Sequence, residues 1–243
     1  MVKIMIIEGD VSVKAALLGN KRKVNTVYMD KSRHDKDAWF IEKKCEEKHI
    51  TLKKKSRESI EELATGFTHG GVIAEVGSRK YDSIDNILEA QNPFVVLLEG
   101  VEDPFNLGYI MRTLYCAGCN GLILRNRNWE NSESTILKSS AGAFEYLPTV
   151  LSDNLEEDIL KCKEKNLRIY AAMRKDAKIY FDENYTEPVL LMIGGEMRGL
   201  SSKVLKLADQ NIYIPYSNDF RNALNAAGAS AVLGFEVMRQ RRG

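Results

Sequence analysis

The sequence predicts an α/β protein in two parts: a small N-terminal α/β unit, then a larger domain built on a mostly parallel sheet. Three observations carry this. From Pro93 onward, continuous apolar runs recur at residues 94–98, 121–124, 167–172 and 189–193, the texture of strands buried on both faces of a parallel sheet. Helical stretches lie between these runs, at 155–165 and from about 222 to 241, and such alternation argues for parallel pairing. Before Gly77 the runs are shorter and mixed with charge, as in a separate, smaller unit.

Taken in order, residues 1–8 are a short apolar run that soon meets acid, without the cleavage site of a secretory signal. Residues 24–29 read as a strand, 38–48 as a charged amphipathic helix, 49–52 as a second strand, and 71–76 as a third behind the turn Thr68-His69-Gly70. Residues 78–92 are polar with weak helical patterning and read as a linker. The division expected is therefore 1–77, linker 78–92, and 93–243. The last strand candidate is 212–214.

The chain has 243 residues, 44% hydrophobic and 28% charged, enough apolar material for a sizeable core. Its net charge of +1 says little about partners, but residues 20–57 carry 13 Lys or Arg against 6 Asp or Glu. Such a patch attracts phosphate or is simply a solvated face. Lys21, Arg22, Lys23, Lys53, Lys54 and Lys55 are its candidate phosphate contacts. No stretch approaches the roughly 18 apolar residues of a membrane span. Four cysteines make no disulfide framework at this length, which points to a reducing, cytoplasmic setting. Cys116 and Cys119 form a C-x-x-C, but no further ligands stand at zinc spacing, so no metal is expected. The tail from Arg239 to Arg242 is either an RNA contact or an ordinary charged helix end.

Three segments place glycines and polar residues where strands end, and open α/β sheets bind ligands there. After the first strand of the larger domain come Asn106, Gly108 and Arg112; Asn106 is read as opening a helix and sharing a face with Arg112, against the simpler reading of a cap and a surface Arg. Ile193-Gly194-Gly195-Glu196-Met197-Arg198-Gly199-Leu200 runs from a strand into bare backbone with a carboxylate beside it, or is only a tight turn. Ile214-Pro215 leads through the loop 216–222 to a helix opening in small residues, Ala223-Leu224-Asn225-Ala226-Ala227-Gly228-Ala229, suited to close packing on a ligand or on another helix. No G-x-G-x-x-G opens any helix, which argues against a dinucleotide site.

In order and spacing, these segments resemble the SpoU (TrmH-like) branch of the SPOUT methyltransferases. N-x-G-x-x-x-R is met at Asn106, Gly108 and Arg112, I-G-x-E-x-x-G-L from Ile193 to Leu200, and the third pattern at Ile214, Pro215, Leu224 and Asn225. Lys138-Ser139-Ser140-Ala141-Gly142-Ala143 looks like a segment the family carries between its first two motifs, and the N-terminal unit like the substrate-binding domain of two-domain members.

The resemblance implies a deep trefoil knot in the C-terminal domain and a homodimer. It also implies S-adenosylmethionine as methyl donor and transfer to a ribose 2′-hydroxyl of RNA, with ribosomal RNA, 23S in particular, preferred over transfer RNA. It assigns catalysis to Arg112, Asn106, Glu196 and Asn225, with Arg112 reaching across the dimer, and cofactor binding to Ala172, Gly194, Ile214 and Leu224. Gly194→Leu is expected to block that pocket while sparing the fold. Two departures stand out: Ala223 replaces the usual serine, and the loop 216–222 lacks its usual glycine. They motivate the alternative of a non-catalytic RNA-binding or ribosome-assembly protein on the same fold.

Overall fold

The computed structural model describes residues 4–242 and divides the chain into two compact units. The first comprises the chain up to Lys80 together with Trp129–Tyr146; the second comprises Tyr81–Asn128 and the chain from Leu147 onward. Of the N-terminal apolar run, Met1 to Lys3 lie outside the described residues.

The first unit begins with β1 (Met5–Glu8) and α1 (Asp10–Gly19), followed by β2 (Val24–Asp30), α2 (Lys36–Glu47), β3 (Thr51–Lys55), α3 (Arg57–Leu63) and β4 (Val72–Val76). Its sheet runs β1-β4-β2-β3, antiparallel except where β2 meets β3. Asp35 caps α2, accepting from the backbone N–H of Asp37 and Ala38. β3 starts at Thr51 rather than His49, because His49 takes φ +54° in the turn that closes α2. β1 and α1 escaped the periodicity argument: α1 is too apolar around its circumference to show a stripe, burying Val13, Ala15, Ala16 and Leu17 together.

The second unit opens with α4 (Ile84–Ile87), whose Ile84 and Ile87 are buried, so the stretch read as a linker carries core side chains. β5 (Phe94–Glu99), α5 (Pro104–Cys116) and β6 (Gly121–Arg125) follow. The chain then returns to the first unit, where α6 (Glu133–Ser139) and the turn after it pack.

Buried charges explain this return. The Arg22 side chain is fully buried, with Nη1 donating to Glu133 Oε2 at 2.9 Å and Nε 2.8 Å from Glu145 Oε1. Arg79 Nη2 and Nε both donate to the Phe144 carbonyl. A Cβ at Gly19 would lie 2.2 Å from the Glu145 carbonyl oxygen, so only glycine admits that approach. Lys138 Nζ donates to the buried Glu8 carboxylate at 2.8 Å, which also accepts from the Thr65 hydroxyl and the Gly66 N–H. Burial alone would raise the Glu8 carboxyl; these donors pull it down to about 2.

The second unit continues with β7 (Thr149–Ser152), α7 (Leu155–Glu164), β8 (Arg168–Ala172), β9 (Ala177–Ile179), β10 (Val189–Gly194), α8 (Ser202–Leu205), β11 (Gln210–Tyr213) and α9 (Ala226–Arg242). All seven strands are parallel, in the order β7-β6-β5-β10-β8-β11-β9. Every residue of β5 is buried, as its unbroken apolar run requires. The late strand β10 inserts between β5 and β8, so the sheet's order reverses there. α9 packs on α5 and is held at its end by Arg241, which donates to the carbonyls of Asn92, Tyr185 and Glu187. Arg239 pairs with Glu236, so the basic tail is largely spent on structure.

Candidate active site

Three of the four residues expected at the cofactor lie at the carboxyl ends of neighbouring strands in the second sheet. Gly194 ends β10, Ala172 ends β8 and Ile214 follows β11, and these three strands are adjacent. Their register aligns them, Met192 opposite Ala171 and Ala172 opposite Ile212. Leu224, exposed, sits in the loop just before α9. The carboxyl ends of parallel strands beside a reversal of strand order form the ligand crevice of open α/β sheets.

The glycine turn after β10 is built by backbone packing. A Cβ on Gly195 would lie 2.0 Å from the Gly100 carbonyl oxygen, and one on Gly194 would lie 2.5 Å from the Gly199 carbonyl carbon. Gly199, at φ +62°, closes the turn by donating its N–H to the Gly195 carbonyl at 3.0 Å. Gly194→Leu therefore disrupts the turn itself, a correction to the expectation that it would only obstruct a pocket. Glu99 braces the turn from beneath: it is buried, accepts from Arg125 Nη2 and from the Ser201 N–H, and both bonds are 2.8 Å. Sequence reasoning passed over Glu99; its signal was a lone carboxylate closing an all-apolar strand just before a glycine.

Of the four residues expected in catalysis, the structure joins two. Asn106 Nδ2 donates to Glu196 Oε1 at 3.2 Å, tying the first turn of α5 to the glycine turn. Asn106 does not open the helix: Asp103 is the cap, accepting from the Asn106 N–H, and Pro104 is the first helical residue. Nor do Asn106 and Arg112 share a face, since six residues at 100° each leave them about 120° apart. Arg112 is exposed and makes no hydrogen bond or ion pair among the described residues. Phe105 and Tyr109, also exposed, lie seven and three positions before it on the same stripe of α5.

Asn225 has a different duty within the chain. Its Oδ1 accepts from the Gly228 N–H at 2.8 Å and caps α9, which is why that helix begins at Ala226 and not at 222. The loop before it is fixed without the usual serine or glycine. The Leu224 N–H donates to the Tyr216 hydroxyl at 2.7 Å, and the Arg174 guanidinium lies 4.6 Å from the Tyr216 ring centre and donates to the carbonyls of Arg221 and Asn222. Neither Tyr216 nor Arg174 stood out in the sequence, because their partnership depends on two loops meeting.

Elsewhere, the basic stretch proves mixed. Lys23, Lys53 and Lys55 are exposed, Lys54 pairs with Glu42, and Arg22 is buried on Glu133 and Glu145, so Arg22 leaves the set of candidate phosphate contacts. Cys119 is buried, with its thiol pushed up to about 12 by that burial, while Cys116 is exposed. Among the described residues no three His, Cys, Asp or Glu gather as metal ligands, and no helix is long and apolar enough to cross a membrane.

Residues 93–235 match the SpoU rRNA Methylase family, and residues 6–82 match the domain described as RNA 2′-O ribose methyltransferase substrate binding. Fold and site thus define an RNA-modifying transferase with a substrate-binding unit ahead of its catalytic one. The chain belongs to the SpoU rRNA methylase family and is a methyltransferase.

Among curated relatives, it is 29% identical over 98% of its length to the 23S rRNA (guanosine-2′-O-)-methyltransferase RlmB of Pectobacterium atrosepticum, covering 99% of that protein. It is 28% identical to RlmB of Escherichia coli, covering 97% of this chain and 98% of that one. Its fold is shared with the SpoU methyltransferase AviRb of Streptomyces viridochromogenes, with TM-score 0.81, 24% identity, and coverage of 98% of this chain and 90% of that one. AviRb has also been solved in complex with AdoMet. The strand ends suit such a cofactor: Gly199 has open space where a side chain would stand, and half-buried Ala172 and Ile214 offer apolar surface.

Proposed function

We propose that this methyltransferase modifies a ribose 2′-hydroxyl of 23S ribosomal RNA, acting as a cytoplasmic homodimer with a trefoil-knotted catalytic domain. The observation that carries the reading is the alignment of Ala172, Gly194 and Ile214 on three adjacent strand ends, next to the Asn106–Glu196 bond. Bound there, S-adenosylmethionine would supply an electrophilic methyl and leave as S-adenosylhomocysteine, so the chain's part is to orient a hydroxyl in line and to favour loss of its proton to water. Ala172, Gly194, Ile214 and Leu224 hold the cofactor through backbone groups and apolar contact. Asn106 and Glu196, already bonded, position the ribose.

Arg112 acts as a fixed positive charge beside the oxygen as it becomes an alkoxide, because a guanidinium resists giving up its proton. Its exposure without a partner, on one stripe with Phe105 and Tyr109, supports delivery across a dimer interface made by α5 and α9. Asn225 serves first as the cap of α9 and through it fixes the loop that carries Leu224. Insertion of β10 between β5 and β8, together with the Arg174 contacts to the loop before α9, supports the knot.

The 23S substrate rests on the RlmB relatives, and the N-terminal match supports a separate RNA-binding unit. Mapping 2′-O-methyl positions in ribosomal and transfer RNA from cells with and without the protein tests this. One 23S position should lose its methyl group, and loss of a transfer-RNA methyl instead would reassign the substrate.

A further inference from the structure

The first unit has a cavity of about 590 Å³ between α1 and α2, floored by Ala141 and Tyr146 from the returning segment. Val11, Leu18 and Trp39 wall it and are all exposed, Trp39 at 62%. An indole left this open beside an apolar hollow is surface that a monomer gains nothing by showing to water. The rim is basic. Lys36 lines it, Lys43 lies 5.3 Å from the Trp39 ring centre and Lys44 5.8 Å from that of Phe40, while Lys14 answers Asp37 at 2.8 Å. An open apolar groove with cations on its lip suits an unpaired nucleobase with its flanking phosphates.

We propose that this groove takes an unpaired base of the RNA substrate, stacked on Trp39, with Lys36 and Lys43 meeting the adjoining phosphates. The assignment rests on the RNA-methylating function above and gives the substrate-binding unit a particular reading site. It also gives a role to the segment containing Lys138 to Ala143, whose Ala141 lies within the catalytic-family match yet floors a groove in the other unit.

The test uses the full chain and a fluorescently labelled, single-stranded 12-nucleotide RNA of mixed sequence, with anisotropy as the readout and no cofactor present. Trp39→Ala should weaken binding about 10-fold, within the range of one stacked base, and Trp39→Phe should recover most of that loss. Lys43→Glu should weaken binding and flatten its salt dependence. Because Trp39 is exposed, circular dichroism of Trp39→Ala should match the unmodified chain. Unaltered affinity in the folded Trp39→Ala variant overturns the proposal. So does an unmodified chain that does not bind the RNA, or a Trp39→Ala variant that loses self-association in sedimentation while keeping RNA affinity. Methyl transfer is measured separately, so an inactive chain with Trp39-dependent binding sinks the enzymatic reading and leaves the groove standing.

Discussion

Asn106, Arg112, Glu196 and Asn225 share a motif set but hold four different positions in the structure, and each calls for its own variant. Arg112, exposed and unpartnered among the described residues, is free to act on RNA. Arg112→Ala should cut methyl transfer roughly 100- to 1,000-fold, as loss of a charge stabiliser does, while calorimetry finds S-adenosylmethionine affinity within about 2-fold of the unmodified chain. Gly195 sits where a Cβ would strike the Gly100 carbonyl. Gly195→Ala should therefore destabilise the second unit by about 1–3 kcal/mol in urea denaturation, with cofactor heat reduced as well. The motifs made these residues legible as a group. Their duties were not, because a hydrogen bond between Asn106 and Glu196 spans 90 positions of chain and depends on the sheet order that brings their loops together.

Among elements, the unbroken apolar strands and amphipathic helices were legible, since a strand buried on two faces writes its burial directly into sequence. β1, β7 and β9 were not: at four, four and three residues they are too short for any period to register. The start of α9 was misread because small residues suit a helix as well as the loop before one, and only the cap geometry of Asn225 decides. That geometry separates structural from chemical roles. Asn225→Ala should cost about 1 kcal/mol of stability, whereas Asn225→Ser restores the cap. If Asn225 works only as a cap, Asn225→Ser recovers methyl transfer together with thermal stability; activity that stays low at recovered stability marks a direct contact with substrate.

For the whole molecule, the internal ion pairs of the first unit set its response to acid. The Glu8 carboxyl is held at about 2 in the folded chain, below its ordinary 4.5, so its contribution is complete above pH 4.5 and lost as pH falls towards 2. At most about 3 kcal/mol is at stake. Denaturant midpoints between pH 5 and 2.5 should fall for the unmodified chain and fall less steeply for Lys138→Met, which removes the ammonium that lowers Glu8. Deletion of residues 1–77 should destabilise what remains of the chain. It removes Arg22 and Glu8, and so leaves Glu133, Glu145 and Lys138 in the remaining chain without their partners.

The return of Trp129–Tyr146 to the first unit also fixes when that unit can be finished during synthesis. A ribosome that has released 80 residues has produced all four strands of the first sheet, yet Arg22 and Arg79 still lack their carboxylate and carbonyl partners, and Gly19 has nothing to pack against. Those partners emerge some 65 residues later, after β5, α5 and β6 have already been made. The N-terminal unit therefore waits on the first third of the domain that follows it. A nascent chain stalled with residues 1–100 outside the ribosome should be cut readily by protease within residues 4–80, and one stalled with residues 1–150 outside should resist. The two halves of this enzyme mature as interleaved pieces, and a fragment ending at the first domain boundary carries a substrate reader whose floor has not yet been translated.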